Sequence, residues 1–403
     1  MKVAVVGFGV VGSGVAEVLR DNAAAIEKRC GFPVELGYIV DLREPAAEWK
    51  ALWCKDLDSV LADSDVGVVV EAIGGLHPAY DFTKAALNAG KHVVSSNKEL
   101  VATLGTDLLE TAKANNVNYY FEAAVGGGIP LLQPVARLLG TEEITDVIGI
   151  LNGTTNFIMT RMNEDKMTFA DALSLAQKNG YAEADPTADI EGHDACRKTA
   201  ILASIIGGHH VAPNEVYTEG ITKLTAEDTA AASAAGCVIK LLGQVRATEK
   251  GTLAQVTPML VPADSPIGVT KDVFNAAFVR GTHLGDAMFY GRGAGKLPTA
   301  NAVVSDVVEA VTAGGYNGVF SWDDGANGLC DALEAPFVWM LRVNHEDSES
   351  ASEIFGAQPM NKSVGAESIL FTMKMSYNEL NSLKNEAEAR GVKVLSALRM
   401  LDF

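Results

Sequence analysis

The sequence predicts an α/β protein: a doubly wound parallel sheet at the N-terminus, an α+β domain after it, and a small α+β module at the C-terminus. Three observations carry this. Over residues 1–135, nearly all-apolar runs alternate with helical patterns, the mark of strands buried on both faces. A Gly-x-Gly-x-x-Gly stretch joins the first run to the first helix. After Gly126-Gly127-Gly128-Ile129-Pro130 the regular alternation ends, and polar, glycine-containing loops separate the elements.

Taken in order, residues 3–6 form a continuous apolar run ending in glycine, and residues 14–28 follow as a helix. Residues 34–40 are a second strand that stops at Asp41. Residues 66–73 are a third. Residues 80–89 are helical, 92–96 a strand, 106–115 a helix and 117–124 a last strand. The second domain, placed at residues 136–295, opens with a strand over 144–151. Helices over 157–162, 168–179 and 194–206 come next, then strands near 253–261 and 276–279. Residues 284–313 read as a glycine-rich loop and then a helix over 300–313. The module at 335–403 has strands at 337–343 and 368–375, a helix at 377–390 and a strand at 392–400.

Of 403 residues, 48% are apolar and 21% charged, enough to build sizeable cores. Acids outnumber bases 51 to 32, a net charge of −19. Nucleic acid and anionic membrane partners need a basic footprint, so neither is expected. No apolar run reaches the ~18–20 residues of a membrane span. The first residues start a strand pattern and lack a signal-peptide layout. Cysteines 30, 54, 196, 237 and 330 are scattered, with no Cys-x-x-Cys pair. A reducing, cytoplasmic location follows.

Gly7-Phe8-Gly9-Val10-Val11-Gly12 sits between a buried strand and a helix, the context that gives this motif meaning. Gly7 permits the tight turn, Gly9 a close approach to a pyrophosphate, and Gly12 close helix–sheet packing; the helix N-terminus attracts the anion. Asp41, ending the second strand, suits a ribose 2′-hydroxyl. Arg43 could serve a 2′-phosphate, whereas Val40 offers no cation. NAD is favoured and NADP stays open. Gly74-Gly75 suit a cofactor crossing the sheet edge, or a plain strand–helix turn.

The densest polar stretch runs from Gly180 to Lys198, with acids at 183, 185, 189, 191 and 194. Asp194 and Lys198 are four apart and share a helix face, which alone is worth a few tenths of a kcal/mol as a surface pair. Lys98 follows Ser95-Ser96-Asn97 at the end of the fourth strand, where an open sheet faces its ligand crevice. A lysine there can polarise a carbonyl or help move a proton. Glu122, at the end of the next strand, faces the same crevice or serves as a cap.

Together these motifs resemble homoserine dehydrogenase over about residues 1–320. The most specific part is Gly180-Tyr181-Ala182, Asp185-Pro186, Asp189-Ile190, Gly192, Asp194 and Lys198. Ser96 to Glu99, Glu122 to Pro130, Ile150 to Asn156 and Gly291 to Gly295 look like further family blocks. The resemblance implies reversible hydride transfer between L-homoserine and L-aspartate 4-semialdehyde, on the route to threonine, methionine and isoleucine. Lys198 would be the general acid and Lys98 would bind or polarise the substrate. Glu183 and Asp194 would hold the substrate, through its amino group, with Asp189 in the same network. A lysine buried beside another cation has its pKa lowered towards neutrality, which suits proton donation to a forming alkoxide.

The cofactor would lie on Gly7, Phe8, Gly9, Val10, Val11, Gly12, Asp41, Gly74, Ser96, Lys98 and Gly295, with residues 296–320 completing the first domain. Family members also bind a monovalent cation, usually sodium. The matching positions are Glu122, Val125, Gly127 and Ile129, mostly through backbone carbonyls, where the ion would brace the hinge between domains. The C-terminal module is similar to a degenerate ACT domain, a βαββαβ ligand-sensing unit, in a strand–helix–strand remnant. Val343 to Ser350 lacks the Asp-x-Pro-Gly-Val-Leu-type turn of such domains. That weighs against threonine feedback and leaves oligomer contacts as its role. A homodimer or homotetramer is implied. Two alternatives remain: a related amino-acid-pathway dehydrogenase, and a nonenzymatic NAD-sensing regulator on the same scaffold.

Overall fold

The computed structural model describes residues 1–326 and 328–402. Six parallel strands form the first sheet: β1 (Lys2–Val6), β2 (Glu35–Val40), β3 (Trp53–Cys54), β4 (Val66–Glu71), β5 (His92–Ser95) and β6 (Tyr119–Tyr120), in the order β3-β2-β1-β4-β5-β6. The valine runs of β1, β4 and β5 are buried on both faces, which explains their lack of alternation. The chain works outwards from β1 and then returns to its other side at β4. The crevice at the β1 and β4 carboxyl ends is the topological switch point where such sheets bind ligands.

Several helices begin earlier than the sequence pattern suggests. The expected helix over 14–28 is two, Val10–Asp21 and Ala23–Cys30, because Asn22 leaves the helical basin at φ −107°, ψ 13°. The expected helix over 106–115 begins at Lys98 and runs to Ala114. Asn97 caps it by accepting the Leu100 N–H. Gly105 interrupts the apolar pattern for a packing reason: a Cβ there would lie 2.6 Å from Cζ2 of Trp322. The expected strand over 117–124 shrinks to β6, and Glu122 falls in a 3-10 turn, Glu122–Ala124.

The second sheet is mixed. Its strands are β7 (Ile144–Ile150), β8 (Tyr217–Thr218), β9 (Cys237–Thr248), β10 (Gly251–Pro262), β11 (Phe274–Gly281) and β12 (Gly285–Arg292). Their order is β12-β11-β7-β9-β10, with β8 beside β10. Helix Gly153–Glu164 and helix His193–Gly207 pack against it. Three strands escaped the sequence pattern, and the two-residue β8 is too short to show a period. β9 places Lys240 and Gln244 in the core, which blurs its period. β12 is an exposed edge strand flanked by glycines, so the expected loop over 284–295 is strand up to Arg292. The helix after it starts at Lys296, not at residue 300, and ends at Ala313. It packs on Val10–Asp21 so closely that a Cβ on Gly14 would lie 2.9 Å from Cβ of Ala300. Beyond it, Asn317 Nδ2 donates to the Tyr120 hydroxyl at 2.5 Å and Trp322 Nε1 to Thr106 at 3.0 Å.

The C-terminal module is more complete than a strand–helix–strand remnant. It contains β13 (Val338–Asn344), helix Ser348–Phe355, β14 (Gln358–Val364), β15 (Glu367–Phe371), helix Tyr377–Ala389 and β16 (Val394–Met400). The order β16-β13-β15-β14 is a full split βαββαβ. The two elements missed are a short Ser/Glu-rich helix anchored by Ala351 and Phe355, and a polar edge strand. β16 pairs in parallel with β10, Met259 opposite Arg399, and so continues the second sheet.

Candidate active site

The glycine loop is shaped by sterics. Gly7 sits at φ +92°, and a Cβ there would lie 2.7 Å from Ala72 O, in the turn after β4. A Cβ on Gly12 would lie 2.0 Å from Gly7 O. Gly9 has no atom within 4 Å of its Cβ direction, leaving an open cradle before the helix N-terminus. A pyrophosphate fits this arrangement. Asp41 accepts the Phe8 N–H at 2.7 Å and the Arg43 N–H at 2.8 Å, with Arg43 Nε 3.7 Å away. Burial raises its pKa, but the backbone donors and Arg43 outweigh this and hold the carboxyl below its ordinary value. A cavity of about 440 Å³ beside it is lined by Gly7, Gly9, Asp41, Arg43 and Lys55.

Glu71 ends β4 fully buried. It accepts the Ile73 and Gly74 N–H groups at 2.8 and 3.3 Å and the Ser95 hydroxyl at 2.6 Å. Ser95 in turn accepts the Asn97 N–H, and Asn97 Nδ2 donates to Gly75 O at 2.6 Å. Gly74 itself sits at φ +86° facing open space. This network ties the turn after β4 to the helix end that carries Lys98.

The second domain brings its charge from helix His193–Gly207. Lys198 and Asp194 are only 8% and 7% exposed. Lys198 Nζ donates to Asp194 Oδ2 at 2.7 Å and to Leu151 O at 2.6 Å. Lys98 Nζ reaches the other carboxylate oxygen of Asp194 at 2.6 Å, so lysines from both domains meet on one acid. Asn152 Nδ2 donates to Asp189 at 2.7 Å and to Asp194 at 2.9 Å. Burial pushes the Lys198 ammonium down; Asp194 opposes this and Lys98 adds to it, with a net lowering. Burial works against the Asp194 charge, yet Lys198 and Lys98 hold its carboxyl well below the carboxylate range. Asp189 is shifted up by burial and by Asp194, against the Asn152 hydrogen bond.

These groups line a cavity of about 580 Å³ that also touches Val11 of the glycine loop, Ser96, Gly127 and Gly295. Glu183 is not among its lining residues. It lies exposed on the stretch after Tyr181, which does line the cavity and whose ring packs on Phe157. Two crossings between domains touch here: Gly128 N–H donates to Arg292 O at 3.2 Å, and a Cβ on Gly127 would lie 2.3 Å from Gly293 O. Glu122 is a buried cap. Its carboxylate accepts the N–H groups of Leu131, of Leu132 at 2.7 Å and of Gln133 at 2.6 Å, at the start of helix Leu132–Leu138. Its own N–H donates to buried Asp306 at 2.8 Å.

Sequence reasoning gave no role to Asn152, Glu71, Asn97 or Arg292. Asn152 had a visible signal: it precedes a helix and caps it through the Thr155 N–H. Glu71, a lone acid closing an apolar run, gave a weak one. Nothing in the sequence shows that Arg292 lines the cavity.

Comparison with known proteins agrees with this geometry. Residues 7–122 match the family model for the NAD-binding domain of homoserine dehydrogenase, and residues 130–308 match that for homoserine dehydrogenase itself. The homoserine dehydrogenase of Corynebacterium glutamicum is 43% identical over 316 residues, covering 76% of this chain and 71% of that one. The crystal structure of a homoserine dehydrogenase from Thiobacillus denitrificans superposes with a TM-score of 0.90 at 33% identity, covering 100% of this chain and 98% of that one. A hyperthermophilic archaeal homoserine dehydrogenase mutant in complex with NADPH superposes at 0.65 with 27% identity, over 77% of this chain and 97% of that one. With its NAD(P)-binding domain, its mixed second sheet and these relatives, the chain belongs to the homoserine dehydrogenase family.

Proposed function

We propose that the chain catalyses reversible hydride transfer between L-homoserine and L-aspartate 4-semialdehyde, serving threonine, methionine and isoleucine synthesis. The observation that carries this is the meeting of Lys98 and Lys198, one from each domain, on Asp194 in a cavity that extends to Val11 of the glycine loop. When bound, the nicotinamide carries the hydride. Lys198 supplies the proton to the carbonyl oxygen in reduction and, as the neutral amine, takes it from the hydroxyl in oxidation. Its lowered pKa suits both. Lys98 polarises the same oxygen or binds the substrate. Asp194 and Asp189 take the substrate's ammonium, and Glu183 joins them from the segment beside Tyr181.

NAD is the preferred cofactor on this reading, since Asp41 lines the adenosine-side cavity. Arg43 and Lys55, which line the same cavity, are the groups that would take a 2′-phosphate. A monovalent cation such as sodium is proposed at the turn 122–129. Backbone oxygens of Glu122, Val125, Gly127 and Ile129 are hard donors suited to it. The buried carboxylates of Glu122 and Asp306 lie beside this turn, and neither has a cationic side-chain partner among the described residues. Burial and Glu122 push Asp306 well above its ordinary value, so a cation there would offset unfavourable charge. The complete βαββαβ order supports an ACT-like module. Exposed Leu284 and Tyr290, at and near the edge strand β12, support a homodimer or homotetramer. Five free cysteines fit a reducing cytoplasm. Among the described residues, no helix is long and apolar enough to cross a membrane.

The test is steady-state oxidation of L-homoserine with NAD and NADP side by side, in sodium- and potassium-containing buffers. Turnover is expected, with the higher kcat/KM for NAD. No turnover with either cofactor, in folded protein, overturns the proposal.

A further inference from the structure

Arg399, on β16, carries a full charge yet is only 2% exposed. Its guanidinium lies 4.6 Å from the ring centroid of Trp339, 5.3 Å from that of Tyr217 and 5.7 Å from that of Tyr377. Nη1 donates to Glu219 Oε1 at 2.7 Å, and the same oxygen accepts the Tyr217 hydroxyl at 2.6 Å. Nε and Nη2 are buried without a hydrogen-bond partner in the protein. An apolar side chain would fill this aromatic cage with less desolvation cost. The charge therefore calls for an explanation other than stability, and Glu219 is its one acidic contact among the described residues.

Glu219 follows β8, and the residues around it pack against the acidic turn of the active site. A Cβ on Gly220 would lie 2.4 Å from Ile190 O and 2.6 Å from Cα of Glu191. Ile221 N–H donates to Ile190 O at 2.8 Å. From the other side, a Cβ on Gly192 would lie 3.1 Å from Cγ2 of Thr218 and 3.5 Å from Glu219 O. Residues 190–192 thus rest on residues 218–221 with no room for a side chain between them. With His193 they form the link between Asp189 and Asp194, the two acids joined through Asn152.

We propose that Arg399 and Glu219 are positioning residues. Through this ion pair the C-terminal module fixes where the 189–194 turn sits against the second sheet, and with it the carboxylates that receive the substrate's ammonium. The proposal rests on the reading of Asp189 and Asp194 as substrate acids. It makes the module part of the substrate-binding machinery even with no effector bound. A displaced backbone at 190–192 alters substrate recognition while leaving the glycine loop untouched.

The experiment compares Glu219→Gln, Arg399→Lys, Arg399→Met and Asp189→Asn in the full chain. It records kcat, the KM for L-homoserine, the KM for NAD and the melting temperature. Glu219→Gln is expected to raise the homoserine KM about fivefold or more, with the NAD KM within about twofold of the parent. Arg399→Met should do the same, and Arg399→Lys should restore part of the loss. Glu219 is on a partly exposed segment, so its variant stays folded if Arg399→Met does not. A lowered melting temperature with the homoserine KM unchanged in Glu219→Gln, while Asp189→Asn raises it, overturns the proposal and leaves the substrate-acid reading standing. An unchanged homoserine KM in Asp189→Asn overturns both.

Discussion

The two walls of the active-site cavity are made from different materials. The cofactor wall is backbone: Gly7, Gly9 and Gly12 shape it by what they lack, and Asp41 beside them is tied to main-chain N–H groups. The opposite wall is side-chain charge: Lys198, Asp194 and Asn152 are buried and Asp189 half-buried, and with Lys98 they form one cluster of paired charges. A wall of backbone tolerates few substitutions for steric reasons but holds no proton. A wall of coupled charges tolerates isosteric change but transmits every lost charge to its neighbours as a pKa shift. Damage to the first should appear in cofactor binding, and damage to the second in chemistry and pH dependence.

The largest expected effect falls on the charged wall. Lys198→Met removes the proton donor and should lower kcat for homoserine oxidation by about 10²–10⁴-fold, the usual worth of general acid–base catalysis. Cofactor affinity, followed by fluorescence titration, should stay near that of the parent. An equal loss of cofactor binding would break the division between the walls. The counterpart is Gly7→Ala, at φ +92° and 2.7 Å from Ala72 O. Strain of about 1–3 kcal/mol there should weaken cofactor binding about tenfold or more, with the homoserine KM little changed.

This contrast also explains what could be read from the sequence. The backbone wall was legible because glycine spacing and strand periodicity are local. Gly7, Gly9, Gly12 and Asp41 all fall within one βαβ unit. The charged wall was half legible. Asp194 and Lys198 share a helix, but the reach of Lys98 to Asp194 is a contact between domains that no spacing encodes. Glu71 and Asn97 were invisible as a pair for the same reason, since their link runs through Ser95 between parallel strands. Glu183 shares a motif with Asp194, but the motif does not show that its side chain stands exposed and outside the set that lines the cavity. In the fold, β12 and β14 were missed because exposed edge strands show little apolar alternation.

A smaller effect sharpens the cofactor side. Asp41→Asn keeps the shape but removes the charge that would repel a 2′-phosphate, and leaves Arg43 without its acid. The ratio of kcat/KM for NAD over NADP should fall about fivefold, for a contact worth roughly 1 kcal/mol. A ratio unmoved by this change would shift the discrimination to Lys55 and the shape of the cavity.

The smallest effect is a displacement in pH, read apart from any loss of rate in the same variants, and its sign tests the charged wall most strictly. Homoserine oxidation needs Lys198 neutral, so kcat/KM should rise with pH through the pKa of Lys198, which burial holds below its ordinary 10.5. The charges that bear on it are Asp194 and Asp189, which raise it, and Lys98, which lowers it. Lys98→Met removes a lowering influence and should move the rising limb to higher pH. Asp194→Asn removes the largest raising influence and should move the limb to lower pH. Lys98→Arg, which keeps the charge, should leave it in place. Opposite displacements in the first two variants tie the limb to Lys198, because a change in folding or cofactor affinity has no reason to reverse sign between them. Displacement in the same direction, or none, would assign the limb to another group and leave Lys198 without its role as proton carrier.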